Sequence, residues 1–403
     1  MTGDNNETSM NKKDDIKRLA SEIKNDIISK RRYLHQNPEL SFQEYNTSAF
    51  IKDSLNALGI TWEPIAGTGV LATIKGRYAS DRVIAVRADM DALPIQEGTN
   101  LPFMSINQGV MHACGHDVHV SSLLGVAEIL TQLNNNFKGI IKLIFQPAEE
   151  ILPGGALRVI KENALNSPKV NAIIGQHVMP CIPTGKVGIK AGEFMASMDE
   201  IRIKISGRGG HGAEPYKTID PVVAASAVIL ALQQVVSRVN NPNIPSVLSF
   251  GKVQANGSIN IIPDEVLIEG TFRTVDEQWR SDAHDRIIAI IRSVAEGYGC
   301  QSVTDIRKGY PSLHNDMALT AKIKDFMSDY LGVENIIDLP VWMASEDFAY
   351  YTQVTDACFY ALGVGYEGTE NPSLHNPLFH INEDSIELSM GLMTYLILRF
   401  LEN

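Results

Sequence analysis

Side chains able to bind a metal are concentrated in one short stretch of the sequence, "MHACGHDVH" at residues 111–119. It contains three histidines, one cysteine and one aspartate, and an apolar helical pattern follows it. Cys114 and His116 are two residues apart in a predicted loop, so both side chains can face one ion. Such a stretch can hold a structural metal, activate a cysteine nucleophile or form part of a catalytic metal centre. These residues alone leave the three alternatives open.

Two further groups of candidate residues follow predicted strands. "FQPAEE" places Glu149 and Glu150 directly after an apolar strand, and "IIGQHVMP" places His177 near the end of another. In an extended segment neighbouring side chains diverge, so one glutamate can bind metal while the other faces a water molecule. A carboxylate in that position can act as a general base. Thiolate, imidazole and carboxylate together suit zinc, cobalt, nickel or manganese, with zinc as the default.

The cysteine-nucleophile alternative explains fewer of these residues. It requires a third residue to orient the histidine, and Cys-Gly-His spacing is poor for a thiolate–imidazolium pair. It also leaves Glu149, Glu150 and His177 without a role. Two widespread zinc signatures, HExxH and the H-x-E with P-C-x-x-C pattern of deaminases, are absent from the sequence.

The elements that must position these residues alternate along the chain. Residues 12–58 are predicted to be helical, and from residue 69 apolar strands alternate with helices, which predicts a mostly parallel sheet between helices. A group of polar residues follows each of three predicted strands: Asp89 and Asp91, then Glu149 and Glu150, then His177. In open α/β sheets ligands bind at the carboxyl ends of the strands. The sequence therefore predicts that these groups meet at one edge of the sheet.

The pattern changes near residue 195 to alternating strands with two amphipathic helices, in the order β-α-β-β-α-β. This order predicts an inserted α+β domain of the split βαβ (ferredoxin-like) type. We therefore expect a catalytic domain built from residues 12–194 and 313–403, with the inserted domain at residues 195–312. Within the insertion, glycines flank His211 in "GRGGHGAEP". Asn260 and Arg273 can be surface residues, although a guanidinium is also the usual partner of a substrate carboxylate.

Composition narrows the class of protein. A net charge of −12 over 403 residues argues against nucleic acid as the main partner, because phosphate binding needs a basic surface. No run of eighteen apolar residues is present, so we expect no membrane span, and the polar N-terminus predicts no signal peptide. The four cysteines are far apart and fit reduced thiols. We expect a cytoplasmic enzyme that acts on a small molecule.

Taken together, these motifs resemble the aminoacylase, carboxypeptidase and amino-acid-conjugate hydrolase family of di-metal amidohydrolases. The similar branch contains indoleacetyl-amino-acid hydrolases, hippurate hydrolases, N-acyl-amino-acid amidohydrolases and N-acetyldiaminopimelate deacetylases. The matching strings span residues 31–380 and are "RRYLHQNPELSFQE", "RADMDALPIQE", "MHACGHDVH", "FQPAEE", "GQHVMP", "GRGGHGAEP", "NIIPD", "MASEDFAYY" and "LHNPLF". The resemblance implies a zinc-exopeptidase-like catalytic domain with an inserted lid domain through which two subunits form a homodimer.

The resemblance also implies residue roles and a cofactor. Two divalent metal ions per subunit, zinc first and manganese, cobalt or nickel as alternatives, would be bound by Cys114, His116, Glu150, His177 and His375. Glu149 would be the general base that activates the metal-bridging water, and Asp91 would orient a ligand.

Three residues of the inserted domain would act on the substrate. His211 would stabilise the tetrahedral oxyanion, reaching in from the partner subunit's lid. Asn260 and Arg273 would bind the substrate carboxylate. The reaction implied is hydrolysis of the amide bond of N-acyl-L-amino acids. A dipeptidase or carboxypeptidase at the same site, and a catalytically inactive metal-binding protein, are the alternatives.

One departure from the wider family narrows the assignment. Many relatives have a metal-binding histidine in an HxD motif, whereas this chain has Asp89 and Asp91 in "DMD". The cysteine-containing motif is typical of the conjugate-hydrolase branch. Whether Asp89 or Asp117 contacts metal, and what His112 and His119 do, stays open.

Overall fold

The computed structural model describes residues 4–402 and divides the chain into two compact units. The larger unit comprises the residues up to Gly192, His314–Pro340 and the residues from Tyr350 onward. The inserted unit comprises Glu193–Leu313 and Val341–Ala349.

The strands and helices of both units are numbered in chain order. The strands are β1 (Thr61–Ile65), β2 (Gly69–Lys75), β3 (Tyr78–Asp89), β4 (Lys138–Gln146), β5 (Ala172–Pro183), β6 (Val187–Ile189), β7 (Gly192–Met195), β8 (Asp199–Ser206), β9 (Gly210–His211), β10 (Ser246–Ala255), β11 (Ile261–Ile262), β12 (Glu265–Thr274), β13 (Gln301–Lys308), β14 (Leu313–Asn315), β15 (Ile336–Asp338) and β16 (Asp356–Gly365). The helices are α1 (Asp4–Gln36), α2 (Tyr45–Ala57), α3 (His116–Gln132), α4 (Ala156–Lys161), α5 (Pro221–Gln234), α6 (Glu277–Gly297), α7 (Met317–Leu331), α8 (Ala349–Thr352) and α9 (Ser385–Glu402).

The larger unit is built on an eight-stranded sheet with the order β1-β2-β4-β3-β5-β16-β6-β15. Its four central strands, β4, β3, β5 and β16, are parallel to one another. Antiparallel pairings join β1 to β2, β2 to β4 and β6 to β16. The prediction of an α/β fold with a mostly parallel sheet is therefore confirmed.

The sheet and its helices share one apolar core. Residues 83–89 of β3 are all buried, as expected for a strand covered on both faces. Helix α3 packs against α1 and α9, and Val120, Leu124 and Ala127 of α3 belong to this core. The helix that carries the first metal-binding candidates is therefore held rigidly against the sheet.

The predicted helical region 12–58 is interrupted, and this part of the prediction was wrong. Helix α1 ends at Gln36 and α2 begins at Tyr45, so residues 37–44, "NPELSFQE", form a loop. Pro38 explains the interruption, because proline lacks a backbone N–H and disfavours helix at the residue before it. Within this loop Phe42 has a positive φ of 62°.

The inserted unit contains a four-stranded antiparallel sheet with the order β10-β12-β8-β13. Along the chain its elements run β8-α5-β10-β12-α6-β13, which is the β-α-β-β-α-β order predicted from the sequence. Both helices contribute to a separate apolar core, with Val228 of α5 and Ile287 of α6 packed among strand residues such as Ile203. The short strands β9 and β11 pair with each other.

One segment among the described residues, Pro221–Val239, is long and apolar enough to cross a membrane by length and composition. The expectation of no membrane span did not anticipate this result. Core helices of soluble proteins often pass the same test, and Ala224, Val228 and Leu232 of this segment are buried in the core of the inserted unit. Its other face is open, since Leu230 is 74% exposed.

Candidate metal centre

The carboxyl ends of the central parallel strands carry the candidate residues of the larger unit. Asp89 is the last residue of β3, Glu149 and Glu150 follow β4, and His177 lies on β5. Because these strands are adjacent and parallel, their ends lie at one edge of the sheet. His375 is on the loop after β16, the next parallel strand.

Four donor groups lie close together, the thiol of Cys114 and three others. Its Sγ atom lies 3.3 Å from Nε2 of His177 and 3.3 Å from Nε2 of His375. Nε2 of His375 is in turn 3.3 Å from Oε1 of Glu150. These distances fit donors converging on a common ion, since ligands of one zinc ion are each about 2.0–2.3 Å from it.

His116 extends this cluster beyond the first four donors. Its Nε2 lies 3.9 Å from Oε1 of Glu150, and His116, Glu149 and Glu150 each offer a donor atom within 4.8 Å of the others. Nε2 of His116 and Oε1 of Glu150 are buried and have no hydrogen-bond partner among the described residues. Buried polar atoms normally have a partner, so the residues present fit metal binding at this place.

The backbone of the loop before α3 allows Cys114 and His116 to face the same side. Gly115 between them has a φ of +80°, and a Cβ atom there would lie 2.5 Å from Cγ2 of Val178. Both the conformation and the space therefore require glycine. The backbone N–H of His375 donates to the carbonyl of Ala113 at 2.9 Å, which holds the loop of His375 beside Cys114.

The imidazoles of His177 and His116 are oriented by hydrogen bonds of their second nitrogens. Nδ1 of His177 donates to the carbonyl of Val178 at 2.8 Å, and its Nε2 faces the thiol of Cys114. Nδ1 of His116 lies 3.3 Å from Oδ1 of Asp91. Metal-binding histidines characteristically use the second nitrogen in this way.

Asp91 contacts both His116 and the backbone of the glutamate pair. Its carboxylate accepts hydrogen bonds from the backbone N–H groups of Glu149 and Glu150, each at 3.0 Å, and from Oγ of Ser41 at 2.6 Å. Burial alone would raise the pKa of Asp91, but the hydrogen bonds from His116 and Ser41 outweigh burial and lower that pKa. Asp91 is thus an ionised residue that positions both a histidine and the glutamate pair.

The electrostatics of the cluster favour a cation. Burial lowers the pKa of His116, but the carboxylates of Asp89 and Asp91 outweigh burial and raise that pKa to about 10. Burial and the carboxylates of Glu150 and Glu149 raise the pKa of the Cys114 thiol well above its usual value. A cysteine nucleophile needs the opposite shift, so these surroundings argue against a nucleophile. A cation bound there would offset the carboxylates and stabilise the thiolate.

Two of the residues whose roles were open form a hydrogen-bonded chain beneath the cluster. Nδ1 of His119 donates to Oδ1 of Asp89 at 2.5 Å, and Nε2 of His119 accepts from the backbone N–H of Val178 at 3.0 Å. The second oxygen of Asp89 accepts from Arg87 and lies 3.7 Å from Nε2 of His116. His119 therefore ties α3 to the strand that carries His177, a contact that its spacing in the sequence did not reveal.

The other two, Asp117 and His112, belong to none of the candidate donor groups found among the described residues. Oδ2 of Asp117 lies 2.7 Å from Nε of Arg31 and 2.9 Å from Nδ1 of His35, in a buried network that also includes Glu97. Burial lowers the pKa of His112 to about 4, so this imidazole is neutral. No local pattern predicts the Arg31–Asp117 ion pair, because its partners lie far apart in the sequence.

The three remaining candidates belong to the inserted unit. His211 is exposed on β9, which pairs with β11, and the N–H of Gly212 donates to the carbonyl of Asn260 at 2.8 Å. His211 and Asn260 are therefore neighbours. Arg273 lies on β12, where its Nη1 donates to the carbonyl of Met343 at 3.1 Å, and burial lowers its pKa.

Several known proteins are similar to this chain in sequence and in fold. Residues 85–399 match the model of Peptidase family M20/M25/M40. The chain is 41% identical over 368 residues to N-acetyl-L-cysteine deacetylase of Bacillus subtilis (strain 168), covering 91% of this chain and 86% of that protein. It is 42% identical over 304 residues to N-acyl-L-amino acid amidohydrolase of Geobacillus stearothermophilus, covering 75% and 81%.

A solved structure of a member of the same family has the same fold. A dinuclear metal-binding peptidase of the M20 family from Bacillus subtilis matches with a TM-score of 0.81 at 37% identity, covering 95% of this chain and 99% of that one. The resemblance predicted from the motifs is confirmed. The chain belongs to Peptidase family M20/M25/M40.

Proposed function

We propose that this chain hydrolyses the amide bond of N-acyl-L-amino acids to a carboxylic acid and a free amino acid. One observation carries the proposal, the convergence of thiol, imidazole and carboxylate donors beside Glu149 at the carboxyl edge of the sheet. Membership of a hydrolase family and the names of the two enzymes from Bacillus and Geobacillus support an acylated amino acid as the substrate.

The proposed ligands of two divalent cations are the five donors Cys114, His116, Glu150, His177 and His375. Bound there, the cations would supply Lewis acidity toward the substrate carbonyl and toward water. Zinc is the first choice, because a thiolate stands among nitrogen and oxygen donors, and manganese, cobalt and nickel are alternatives. The dinuclear metal-binding relative supports the number of ions.

Glu149 is the proposed general base. Its side chain is nearly buried, with the residue 6% exposed, and its backbone N–H is fixed by Asp91. Its carboxylate would take the proton of the attacking water and deliver it to the leaving nitrogen. The proton is thus returned in each turnover, and the free amine and the acid are released.

Residues of the inserted unit are proposed to bind the substrate. The forked guanidinium of Arg273 and the amide of Asn260 suit the carboxylate of an amino acid, and His211 is the proposed donor to the oxyanion, supplied by the partner of a homodimer. Free cysteines support a cytoplasmic location, which we also propose.

Activity assays on the metal-reconstituted protein test the function. The protein is loaded with zinc, manganese, cobalt or nickel and assayed on N-acetyl-L-cysteine, hippurate, an indoleacetyl-amino acid, N-acetyldiaminopimelate and dipeptides. We expect kcat/KM to be at least about tenfold higher for the favoured acyl-amino acid than for any dipeptide. Chelation should abolish the activity and added metal should restore it.

Two other results would lead to different conclusions. Faster cleavage of dipeptides would identify a dipeptidase or carboxypeptidase with the same site. If the protein binds metal stoichiometrically but hydrolyses none of these compounds, it is a metal-binding protein that lacks the proposed activity.

A further inference from the structure

The loop of residues 37–44 contains a buried acid that the proposed mechanism does not use. Glu44 is 0% exposed and forms no ion pair among the described residues. Burial raises the pKa of its carboxyl group to about 7. Burying a carboxylate without a cationic partner is costly. The hydrogen bonds that Glu44 makes must therefore explain why it is buried.

Glu44 binds the backbone at two places that are far apart in the sequence. Its Oε1 accepts from the N–H of Phe42 and from the N–H of Ala148, each at 2.9 Å, and its Oε2 accepts from Oγ1 of Thr68 at 2.6 Å. Phe42 has a φ of 62° and Ala148 has a φ of 54°. For residues other than glycine this left-handed conformation is sterically unfavourable. One carboxylate oxygen therefore holds two residues in an unfavourable conformation.

Ala148 directly precedes the glutamate pair, and its backbone conformation sets the direction in which the chain continues into these two residues. The N–H groups of Glu149 and Glu150 are bound by Asp91, so three successive N–H groups are held by two carboxylates. The carbonyl of Ala148 accepts from Gly155 at 2.9 Å. Ser41, from the same loop as Glu44, donates to Asp91, so the loop supports both carboxylates.

We propose that Glu44 is a positioning residue, which keeps Ala148 left-handed and thereby directs Glu149 and Glu150 into the metal centre. The role rests on the proposed function of Glu149, but the geometry it asserts can be measured without a substrate.

Variants at Glu44 test the proposal against a control in the same loop. Glu39 is that control, because its carboxylate accepts from the N–H groups of Asn46 and Thr47 at the start of α2. We expect Glu44→Ala to lower kcat about 10- to 100-fold with little change in KM. Glu44→Gln keeps the Oε1 acceptor and should recover most of the rate, whereas Glu39→Gln should leave kcat unchanged.

A second substitution isolates the backbone conformation. Glycine adopts positive φ without a steric cost, so Ala148→Gly in the Glu44→Ala background should recover part of the lost kcat. Where Glu44→Ala does not fold, Glu44→Asp replaces it, because the shorter side chain keeps the charge but cannot span both N–H groups. A folded Glu44→Ala or Glu44→Asp protein with wild-type kcat and full metal content would overturn the proposal.

Hydrogen exchange separates this proposal from the proposed function. The peptide containing residues 148–150 should lose amide protection in Glu44→Ala and keep it in Glu39→Gln. If the wild type cleaves no acyl-amino acid but Glu44→Ala still loses protection at these amides, the positioning role is supported. Only the proposed function is then contradicted. Unchanged protection in Glu44→Ala overturns the positioning role whatever the activity.

Discussion

Glu149 and Glu150 are neighbours in the sequence, yet their surroundings differ. Oε1 of Glu150 lies 3.3 Å from Nε2 of His375 and close to His116, among the proposed ligands. Glu149 shares a donor group with His116 and Glu150, whereas the donor group of Cys114 and His375 includes Glu150 and not Glu149. This asymmetry is what separates a proposed base from a proposed ligand, and it is testable residue by residue.

Replacing Glu149 by glutamine should stop turnover without removing metal. Glutamine has a similar shape but cannot take a proton, so kcat should fall about 100- to 10,000-fold. Steady-state kinetics together with metal analysis by mass spectrometry measure both quantities. Glu150→Gln is the matched control, because it should lower the metal content as well. Near-normal turnover in metal-loaded Glu149→Gln would contradict the assigned mechanism.

Sequence patterns predicted which residue types assemble here, but not the residues that support them. Cys114, His116, Glu150 and His177 all lie in motifs at predicted strand or helix ends, where topology brings side chains together. Glu44 ends the matching string "RRYLHQNPELSFQE", but it follows no predicted strand and no role could be predicted for it, because its effect depends on a hydrogen bond to Ala148, 104 positions away. Such a contact depends on how two loops pack, and no local periodicity records that packing.

At the scale of elements, the alternation of apolar strands and helices was enough to predict both sheets. The break between α1 and α2 was missed, although Pro38 marks it, because apolar residues continue at helical spacing on both sides. The antiparallel strands at the outer positions of the large sheet were also not predicted individually. Short strands such as β6 and β15, with three residues each, are too brief to show a period.

Strand β8 and helix α6 of the inserted unit are joined by a buried ionic network. Asp199 is 0% exposed, and its carboxylate lies 2.5 Å from Nη2 of Arg280 and 2.6 Å from Nε2 of His284. Burial would raise the pKa of Asp199, but His284 and Arg280 outweigh burial and lower it. A carboxylate with a lowered pKa stabilises the fold above its unfolded pKa, and that stabilisation is lost as the pH falls through the folded pKa.

Replacing Asp199 by alanine should therefore destabilise the protein in a pH-dependent way. Near neutral pH we expect the free energy of unfolding to fall by about 3–5 kcal/mol, because the buried Arg280 and His284 lose the carboxylate between them and Arg280 keeps only the more exposed Glu277 as an ion-pair partner. The difference from the wild type should begin to shrink as the pH falls below about 4, the usual pKa of an unfolded aspartate, and should vanish only below the lowered pKa of the folded carboxylate. Urea unfolding at several pH values measures it.

Glu200, the next residue of β8, provides the control for this prediction. It pairs with Arg202 at 3.0 Å near the surface, and exposed pairs of this kind contribute about 0.2–1 kcal/mol. Glu200→Ala should therefore have a small effect with little dependence on pH in the same range. Equal losses in the two variants would show that the buried network does not stabilise the unit.

At the scale of the whole molecule, the open face of α5 supports the proposed homodimer. Val222, Val223 and Leu230 are 38%, 50% and 74% exposed, although the segment is among the most apolar in the chain. Contiguous exposed apolar surface commonly marks an interface. A glutamate in place of Leu230 would put a charge into that interface, and light scattering should then report a monomer in place of a dimer. Ile106→Glu, an exposed apolar position of the larger unit, should leave the dimer intact.

The same dimer makes a prediction about how His211 acts. We expect a homodimer of either variant, His211→Ala or Glu149→Gln, to be inactive. In a mixed dimer, one of the two sites combines an intact Glu149 from one subunit with an intact His211 from the other. If His211 acts across the dimer, co-expression of the two variants should restore roughly a quarter of the wild-type activity, since half of the dimers are mixed and half of their sites are complete. If His211 serves its own subunit, the mixture stays inactive. Adding Leu230→Glu to both chains should remove the restored activity, which links the catalytic role of His211 to the apolar face of α5.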